Sequence, residues 1–200
     1  MTTHMSRGRP SKPNLLMLVA PMAFIVLGSP SGGAAIPKAS SASRPPASAG
    51  LQRPLHLPRL KPGESCPVSR SHTIAPHYLV TGNGPAFLIT NSRTATISLS
   101  QSQRDSRGWL GQKTPWAIAR SYDGPLLVRG ARIDRKQSVR FALAYGQHLK
   151  QLRWPAGVDQ GNNPRFRALS ADTLFRSPGC YAYQADGTSF SSVVVVRVVG

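Results

Sequence analysis

The chain has 200 residues, with 25 Lys and Arg against 7 Asp and Glu, and therefore a formal net charge of +18. So few acidic residues, most of them in turn-like or Arg-flanked contexts, argue against catalysis by paired carboxylates. The positive charge favours anionic partners, although an arginine-rich composition would produce the same excess without any partner.

The N-terminal segment has the order of a secretory signal. Three basic residues lie within the first 13 positions, an apolar stretch follows over residues 15–28, and small residues come next. This order predicts that residues 1–35 are a signal peptide cut after Ala35 or, if retained, a membrane anchor over residues 15–36. The protein is therefore expected to be secreted or extracytoplasmic.

Residues 36–62 consist mainly of Pro, Ser, Ala and basic residues, which predicts a disordered linker. Further upstream, Arg7-Gly8-Arg9-Pro10 matches the core of a minor-groove-binding AT-hook. The basic residues of a signal peptide explain the same letters, and export argues against nucleic acid as the partner. Nucleic-acid binding is kept as the second alternative function.

Residues 63–200 show the pattern of strands and turns, with short apolar runs separated by Gly, Pro, Asn and Asp. The clearest alternation places Val139, Phe141, Leu143 and Tyr145 on one face. Further strands are predicted over residues 78–81, 86–90, 94–99, 116–120, 126–133, 149–154, 166–169, 180–184 and 193–199. We predict one all-β domain, a sandwich of about seven to nine strands.

The last two predicted strands flank Asp186-Gly187, a dipeptide suited to a hairpin turn. Residues 193–196 are four valines, so both faces of this strand are apolar. An exposed strand of this kind would invite aggregation, which predicts a central position in its sheet.

Cys66 and Cys180 are the only cysteines and lie near opposite ends of the predicted domain. In an exported protein such a pair is expected to form a disulfide, the alternative being two buried free thiols. A bridge across more than 100 residues would stabilise the fold by about 4 to 5 kcal/mol in the chain-entropy model.

The segment Ser177-Pro178-Gly179-Cys180-Tyr181-Ala182-Tyr183-Gln184-Ala185-Asp186-Gly187 and the valine-rich strand after it, residues 177–199 in all, resemble the final strands of immunoglobulin-like β-sandwich domains of exported bacterial proteins. The resemblance implies a sandwich architecture and no particular function. The immunoglobulin pattern places a Tyr two residues before the Cys on the same face, whereas Tyr181 is adjacent to Cys180. The bridge is therefore expected to fasten the start of the domain to a strand.

Motifs for known catalytic sites are missing from the sequence: there is no nucleophile elbow, no zinc-binding helix and no P-loop. No His or Met follows Cys180, which excludes a recognisable blue-copper loop. Cys180 with His148 as base, or a zinc site of Cys66, His72 and His77, are alternatives that a disulfide would eliminate. We expect no cofactor and no enzymatic activity, with a cell-envelope enzyme as the first alternative.

The candidate ligand-binding surface combines aromatic and basic residues that are close in sequence: Trp109, Lys113, Trp116, Arg120 and Tyr122. Exposed Trp rings stack on sugars, and Lys or Arg hold anionic groups. Trp109 lies in a Gly-rich loop and is expected to be exposed, whereas Trp116 is expected in the core. The predicted role is a non-catalytic binding or structural module that contacts an anionic cell-envelope polymer, a membrane surface or another envelope protein.

Overall fold

The computed structural model describes residues 51–200, which form fourteen β-strands and contain no helix. The strands are β1 (Ser71–Ala75), β2 (Tyr78–Thr81), β3 (Ala86–Ile89), β4 (Thr96–Ser98), β5 (Leu110–Lys113), β6 (Trp116–Ala119), β7 (Leu126–Arg132), β8 (Gln137–Ser138), β9 (Arg140–Ala142), β10 (Leu152–Trp154), β11 (Phe166–Leu169), β12 (Asp172–Phe175), β13 (Gly179–Asp186) and β14 (Ser191–Val199). The all-β prediction is confirmed for this part of the chain.

The strands form three sheets. The first has the order β1-β2-β3-β6-β11, the second β10-β7-β13-β14-β4 with β8 beside β7, and the third β5-β12-β9. Neighbouring strands are antiparallel except β14 and β4, which run parallel. The structure has more strands than the seven to nine predicted, because β1, β5, β8 and β12 are short and rich in polar residues or Gly, so their sequences lack the apolar alternation of a strand.

All three sheets contribute side chains to one main core. Trp116 of β6, Tyr183 of β13 and Phe141 of β9 are all 0% exposed. The Tyr183 ring is the common neighbour, with its centroid 6.1 Å from that of Trp116 and 6.2 Å from that of Phe141. Burial raises the pKa of the Tyr183 hydroxyl. The core therefore joins the sheets through large aromatic contacts.

The alternation predicted over residues 139–145 ends earlier than expected. Val139 and Phe141 are buried, but Leu143 is 46% exposed and Tyr145 is fully exposed. The strand stops at Ala142 because the chain turns there, with the Gln147 side chain accepting the backbone N–H of Leu143 at 3.0 Å. The prediction that Leu143 and Tyr145 belong to the buried face is wrong.

Strand β14 is central, as predicted, with β13 on one side and β4 on the other. Val194 and Val196 lie in the main core, whereas Val195 belongs to a smaller cluster on the opposite face. The connection from β13 is a turn in which the N–H of Gly187 donates to the carbonyl oxygen of Phe190 at 3.0 Å.

Residues 51–69, here called the strap, pack on the outer face of the second sheet. Leu57 and Leu60 contact the cluster that contains Ile133 and Val195. The N–H of Leu60 donates to the carbonyl oxygen of Ile133 at 3.1 Å, and the N–H of Ser69 to that of Val195 at 2.9 Å. The sequence predicts a disordered linker over residues 36–62. The structure describes residues 51–62 of this segment, and they pack on the domain. The predicted signal, the anchor and the rest of the linker lie outside the described residues.

Cys66 of the strap and Cys180 of β13 form a disulfide, with their Cα atoms 5.6 Å apart and a sequence separation of 114. Cys180 lies in the cluster beneath the strap, whereas the adjacent Tyr181 lies in the main core. The predicted disulfide is confirmed, and it fastens the strap to one strand. It also eliminates the Cys180 nucleophile and Cys66 as a zinc ligand.

Candidate functional site

The five residues of the predicted binding surface do not share one surface. Trp116 belongs to the main core, and Tyr122 is buried as well. The Tyr122 hydroxyl donates to the carbonyl oxygen of Pro125 at 2.7 Å, and its ring packs edge-on against Phe190 with centroids 4.9 Å apart. Both aromatic residues therefore have structural contacts that leave no open face for a ligand.

Arg120 also serves the fold. Its guanidinium lies 2.6 Å from the Asp159 carboxylate and donates to the carbonyl oxygen of Asn163 at 2.7 Å. Burial alone would raise the pKa of Asp159, but backbone N–H donors from Ala168 and Gly161, together with Arg120, hold it below the usual value. The pair fastens the loop between β10 and β11 to the end of β6.

Trp109 is only 6% exposed, so the prediction that its ring is exposed is wrong. Basic side chains cover the ring. The Cζ atom of Arg176 lies 4.0 Å from the ring centroid and that of Arg140 lies 5.7 Å from it, while the His148 ring packs edge-on at 6.1 Å. Arginine over an indole face is a favourable cation–π arrangement. Trp109 is therefore a platform under the basic groups.

Strand pairing explains why these side chains meet. Arg140 lies opposite Leu174 in the third sheet, and Arg176 follows Leu174 by two residues. Side chains alternate along a strand, so these three share the outer face of the sheet. Phe175, one residue from Arg176, points the other way and is buried in the main core. Lys113, at the far end of β5, is exposed on this same sheet.

Asp105 is the one acidic residue that contacts this group of side chains in residues 51–200. Its carboxylate lies 2.9 Å from Nε2 of His148 and also accepts the backbone N–H of Trp109 and of Arg107, each at 2.9 Å. The N–H of Trp109, followed by the N–H of Arg107 and the charge of His148, holds the pKa of Asp105 below its usual value despite the opposing effect of desolvation. Asp105 is thus an ionised carboxylate whose partners are already in place.

We call the residues around Trp109 the basic face: Arg104, Arg107, Arg140, Arg176 and His148. Carbonyl oxygens position its guanidiniums, since Arg104 donates to Gly108 at 2.9 Å, Arg140 donates to Val139 at 2.9 Å and Arg176 donates to Arg107. None of the four arginines has a carboxylate within 4.0 Å in residues 51–200. The guanidiniums of Arg104, Arg140 and Arg176 are therefore held in position by carbonyl oxygens without a carboxylate partner, which suits phosphate or carboxylate groups.

The sequence points to Trp109 but to none of the four arginines around it, and it indicates His148 only as a possible base for Cys180. Arg104, Asp105 and Arg107 are close enough to Trp109 in sequence to have been included on charge alone. Arg140 and Arg176 are not, because only the pairing of β12 with β5 and β9 brings them to Trp109.

Two further features are absent from the part of the chain that the structure describes. No three His, Cys, Asp or Glu side chains group together there as metal ligands, and no helix there is long and apolar enough to span a membrane. Comparison of the chain with models of protein families, with curated proteins and with solved structures found no match.

Proposed function

We propose that the protein is a non-catalytic binding module of the extracytoplasmic space, which holds an anionic cell-envelope polymer on its basic face. The observation that carries the proposal is the pair of guanidiniums on one indole, with Arg176 at 4.0 Å and Arg140 at 5.7 Å from the Trp109 centroid. Neither has a carboxylate partner in the described residues.

The energetic reason is the repulsion between fixed like charges. Because both guanidiniums lie against one ring, their Cζ atoms are within about 10 Å of each other. An anion that reaches both guanidiniums would relieve this repulsion and accept charge-assisted hydrogen bonds from planar donors that carbonyl oxygens already orient. Further phosphate or carboxylate groups of the same polymer could form similar charge-assisted hydrogen bonds with Arg104 and Arg107.

Two features support an extracytoplasmic location. The order of basic residues, apolar stretch and small residues in the first 35 positions is typical of an export signal. The disulfide between Cys66 and Cys180 is typical of proteins that fold in an oxidising compartment. A membrane surface or an acidic envelope protein could also bind the basic face, because each carries negative charge.

The test compares two double variants with the same change in charge. Arg140→Glu with Arg176→Glu alters the basic face, whereas Arg153→Glu with Arg165→Glu alters two exposed arginines on β10 and in the loop before β11. Binding to long-chain polyphosphate and to poly-L-glutamate is measured by fluorescence anisotropy at several salt concentrations. We expect the first variant to weaken binding about tenfold and the second about twofold or less.

Equal weakening by both variants would mean that only net charge matters and would contradict a specific face. Tighter binding of a single-stranded oligonucleotide than of polyphosphate would favour the nucleic-acid alternative. Binding to vesicles that contain phosphatidylglycerol, without binding to either soluble polymer, would favour a membrane surface as the partner.

A cell-envelope enzyme is the second candidate, and the contact between His148 and Asp105 favours it. An imidazole held by a carboxylate at 2.9 Å is the arrangement in which a histidine acts as a general base. The side chain of His148 is 14% exposed, so only a small part of it is accessible to a substrate. Hydrolysis of a generic ester such as p-nitrophenyl acetate, lost in His148→Gln and kept in the exposed control His77→Gln, would support this candidate.

We further propose that the sheets are arranged as an immunoglobulin-like sandwich. The β13–β14 hairpin supports it, with Tyr181 and Tyr183 in the main core and a valine-rich partner strand. The position of Cys180 on the opposite face from Tyr181 is the feature that departs from the family pattern.

A further inference from the structure

A groove lies between the strap and the hairpin that joins β7 to β8. Its volume is about 790 Å³, within the range of about 300 to 1,000 Å³ that is usual for small-ligand sites. The strap contributes residues 55–60 except His56, and the hairpin contributes all of residues 130–138. The groove is separate from the basic face, none of whose residues line it.

The apolar part of the groove is formed mainly by the strap. Leu55, Leu57 and Leu60 line it together with Ile133 of the hairpin. Leu57 and Leu60 are half-buried against the sheet, but Leu55 is 46% exposed. An exposed leucine beside other leucines is apolar surface, and a ligand that covered it would gain free energy from removing that surface from water.

The rim of the groove is basic. Arg59 of the strap and Arg135 and Lys136 of the hairpin line it, and all three are exposed. The one acidic residue that lines the groove, Asp134, is already bound by Arg132, with Nη2 and Oδ2 3.0 Å apart. The three exposed cations have no carboxylate within 4.0 Å in the described residues.

The groove is held open by contacts on both sides of its leucines. On one side, Arg53 donates to the carbonyl oxygens of Gly187 and Phe190 at 2.6 and 2.9 Å. On the other side, the disulfide at Cys66 fixes the strap to β13. Both sides of the groove are therefore in place before any ligand arrives, which lowers the entropic cost of binding.

We propose that this groove binds a single-chain anionic lipid, with the acyl chain along the leucines and the acidic headgroup on Arg59, Arg135 and Lys136. Charge complementarity selects an anionic headgroup, and the adjoining apolar surface selects an alkyl chain over a fully hydrophilic anion. The volume suits one chain with its headgroup. This site is additional to the basic face and does not depend on the polymer proposed for it.

The experiment titrates the full-length chain, purified without detergent, with dodecyl phosphate below its micellar concentration, by isothermal titration calorimetry. Inorganic phosphate and dodecanol are the probes for the headgroup and the chain alone. Leu55→Asp and Lys136→Glu change the groove. Leu143→Asp and Lys150→Glu are matched controls, because Leu143 has the same 46% exposure as Leu55 and Lys150 is an exposed lysine outside the groove.

We expect saturable one-to-one binding of dodecyl phosphate, weakened at least about fivefold by each groove variant and changed less than about twofold by each control. Inorganic phosphate and dodecanol are expected to bind more weakly than dodecyl phosphate. The proposal is overturned if dodecyl phosphate does not saturate, if the groove and control variants behave alike, or if inorganic phosphate binds equally well. Leu55-dependent binding to vesicles containing phosphatidylglycerol, with no binding of the monomer, would also overturn it and identify a membrane-docking surface.

Discussion

Arg129 of β7 and Asp186 of β13 form an ion pair beneath the strap, with Nη2 2.7 Å from Oδ2. The Asp186 side chain is 0% exposed, and its carboxylate also accepts hydrogen bonds from the Ser191 hydroxyl at 2.6 Å and the Gln184 amide at 3.0 Å. The same Arg129 nitrogen donates to the carbonyl oxygen of Arg53 at 2.6 Å. One buried carboxylate thus organises the contact between sheet and strap.

Replacing Asp186 is expected to destabilise the domain. Asp186→Ala would leave Arg129 partly buried without its carboxylate, and the Gln184 amide would keep only the Pro54 carbonyl oxygen as acceptor, which we expect to cost about 3 kcal/mol in total. Urea denaturation measures the loss. Asp172→Ala, at an exposed aspartate with no ion pair in residues 51–200, is the control and should change stability by less than about 0.5 kcal/mol. Equal effects would contradict the role of the pair.

Trp109→Ala is expected to lower stability by about 3 kcal/mol, because it removes a buried indole and the platform under two arginines. This differs from the sequence-based expectation that Trp109 is exposed, since the loss of an exposed ring would change stability little. Lys113→Ala, at an exposed position of β5, should leave the thermal midpoint nearly unchanged. A Trp109→Ala protein that melts at the wild-type temperature would show that the ring is not packed as described.

Reduction of the disulfide is expected to lower the free energy of unfolding by about 4 kcal/mol, since the bridge closes a loop of more than 100 residues in the unfolded chain. Denaturation with and without a reductant measures the difference, and mass spectrometry should show a gain of two hydrogens on reduction. In Cys66→Ser with Cys180→Ser the reductant should have no effect. If the reductant still lowers the stability of this double variant, the reductant acts on something other than the disulfide.

Acid is expected to destabilise the fold through Asp105 and Asp134. The N–H of Trp109 lowers the pKa of Asp105, and the hydrogen bond from Arg132 lowers that of Asp134. Because both pKa values are lower in the folded state than the ordinary value of 3.8, this stability is present above that value and is lost as the pH falls through the folded-state pKa values.

Denaturation midpoints measured between about pH 6 and pH 2 should therefore fall mainly below about pH 4. Asp134→Asn should reduce the steepness of the decline, whereas Asp172→Asn should not. A midpoint that is independent of pH over this range would contradict the linkage.

The features that the sequence predicts correctly are local, or they depend only on which face of a strand a side chain occupies. Strands β2 and β11 have the predicted bounds, and the opposite facing of Cys180 and Tyr181 follows from their adjacency in a strand. The disulfide follows from there being only two cysteines. Each of these inferences needs one strand or one pair of residues, and none needs the topology.

The features that the sequence does not reveal depend on distant partners. Arg53 looks like one more basic residue of a linker, yet its acceptors Gly187 and Phe190 lie 134 and 137 positions away. Asp186 looks like a turn residue before a Gly, yet it is the buried partner of Arg129. Arg140 and Arg176 reach Trp109 only through the pairing of three strands, which composition and periodicity do not specify.

The attachment of the strap determines how the domain would respond to mechanical load. A pull on the chain before Arg53 would first act on the strap contacts and then, through Cys66, on β13. Strand β13 lies between β7 and β14, so it can leave the sheet only by breaking two antiparallel ladders together. The edge strand β1, which follows the strap in sequence, is spared that load while the disulfide is intact. A domain tethered through its N-terminus would thus be held by an interior strand of its second sheet.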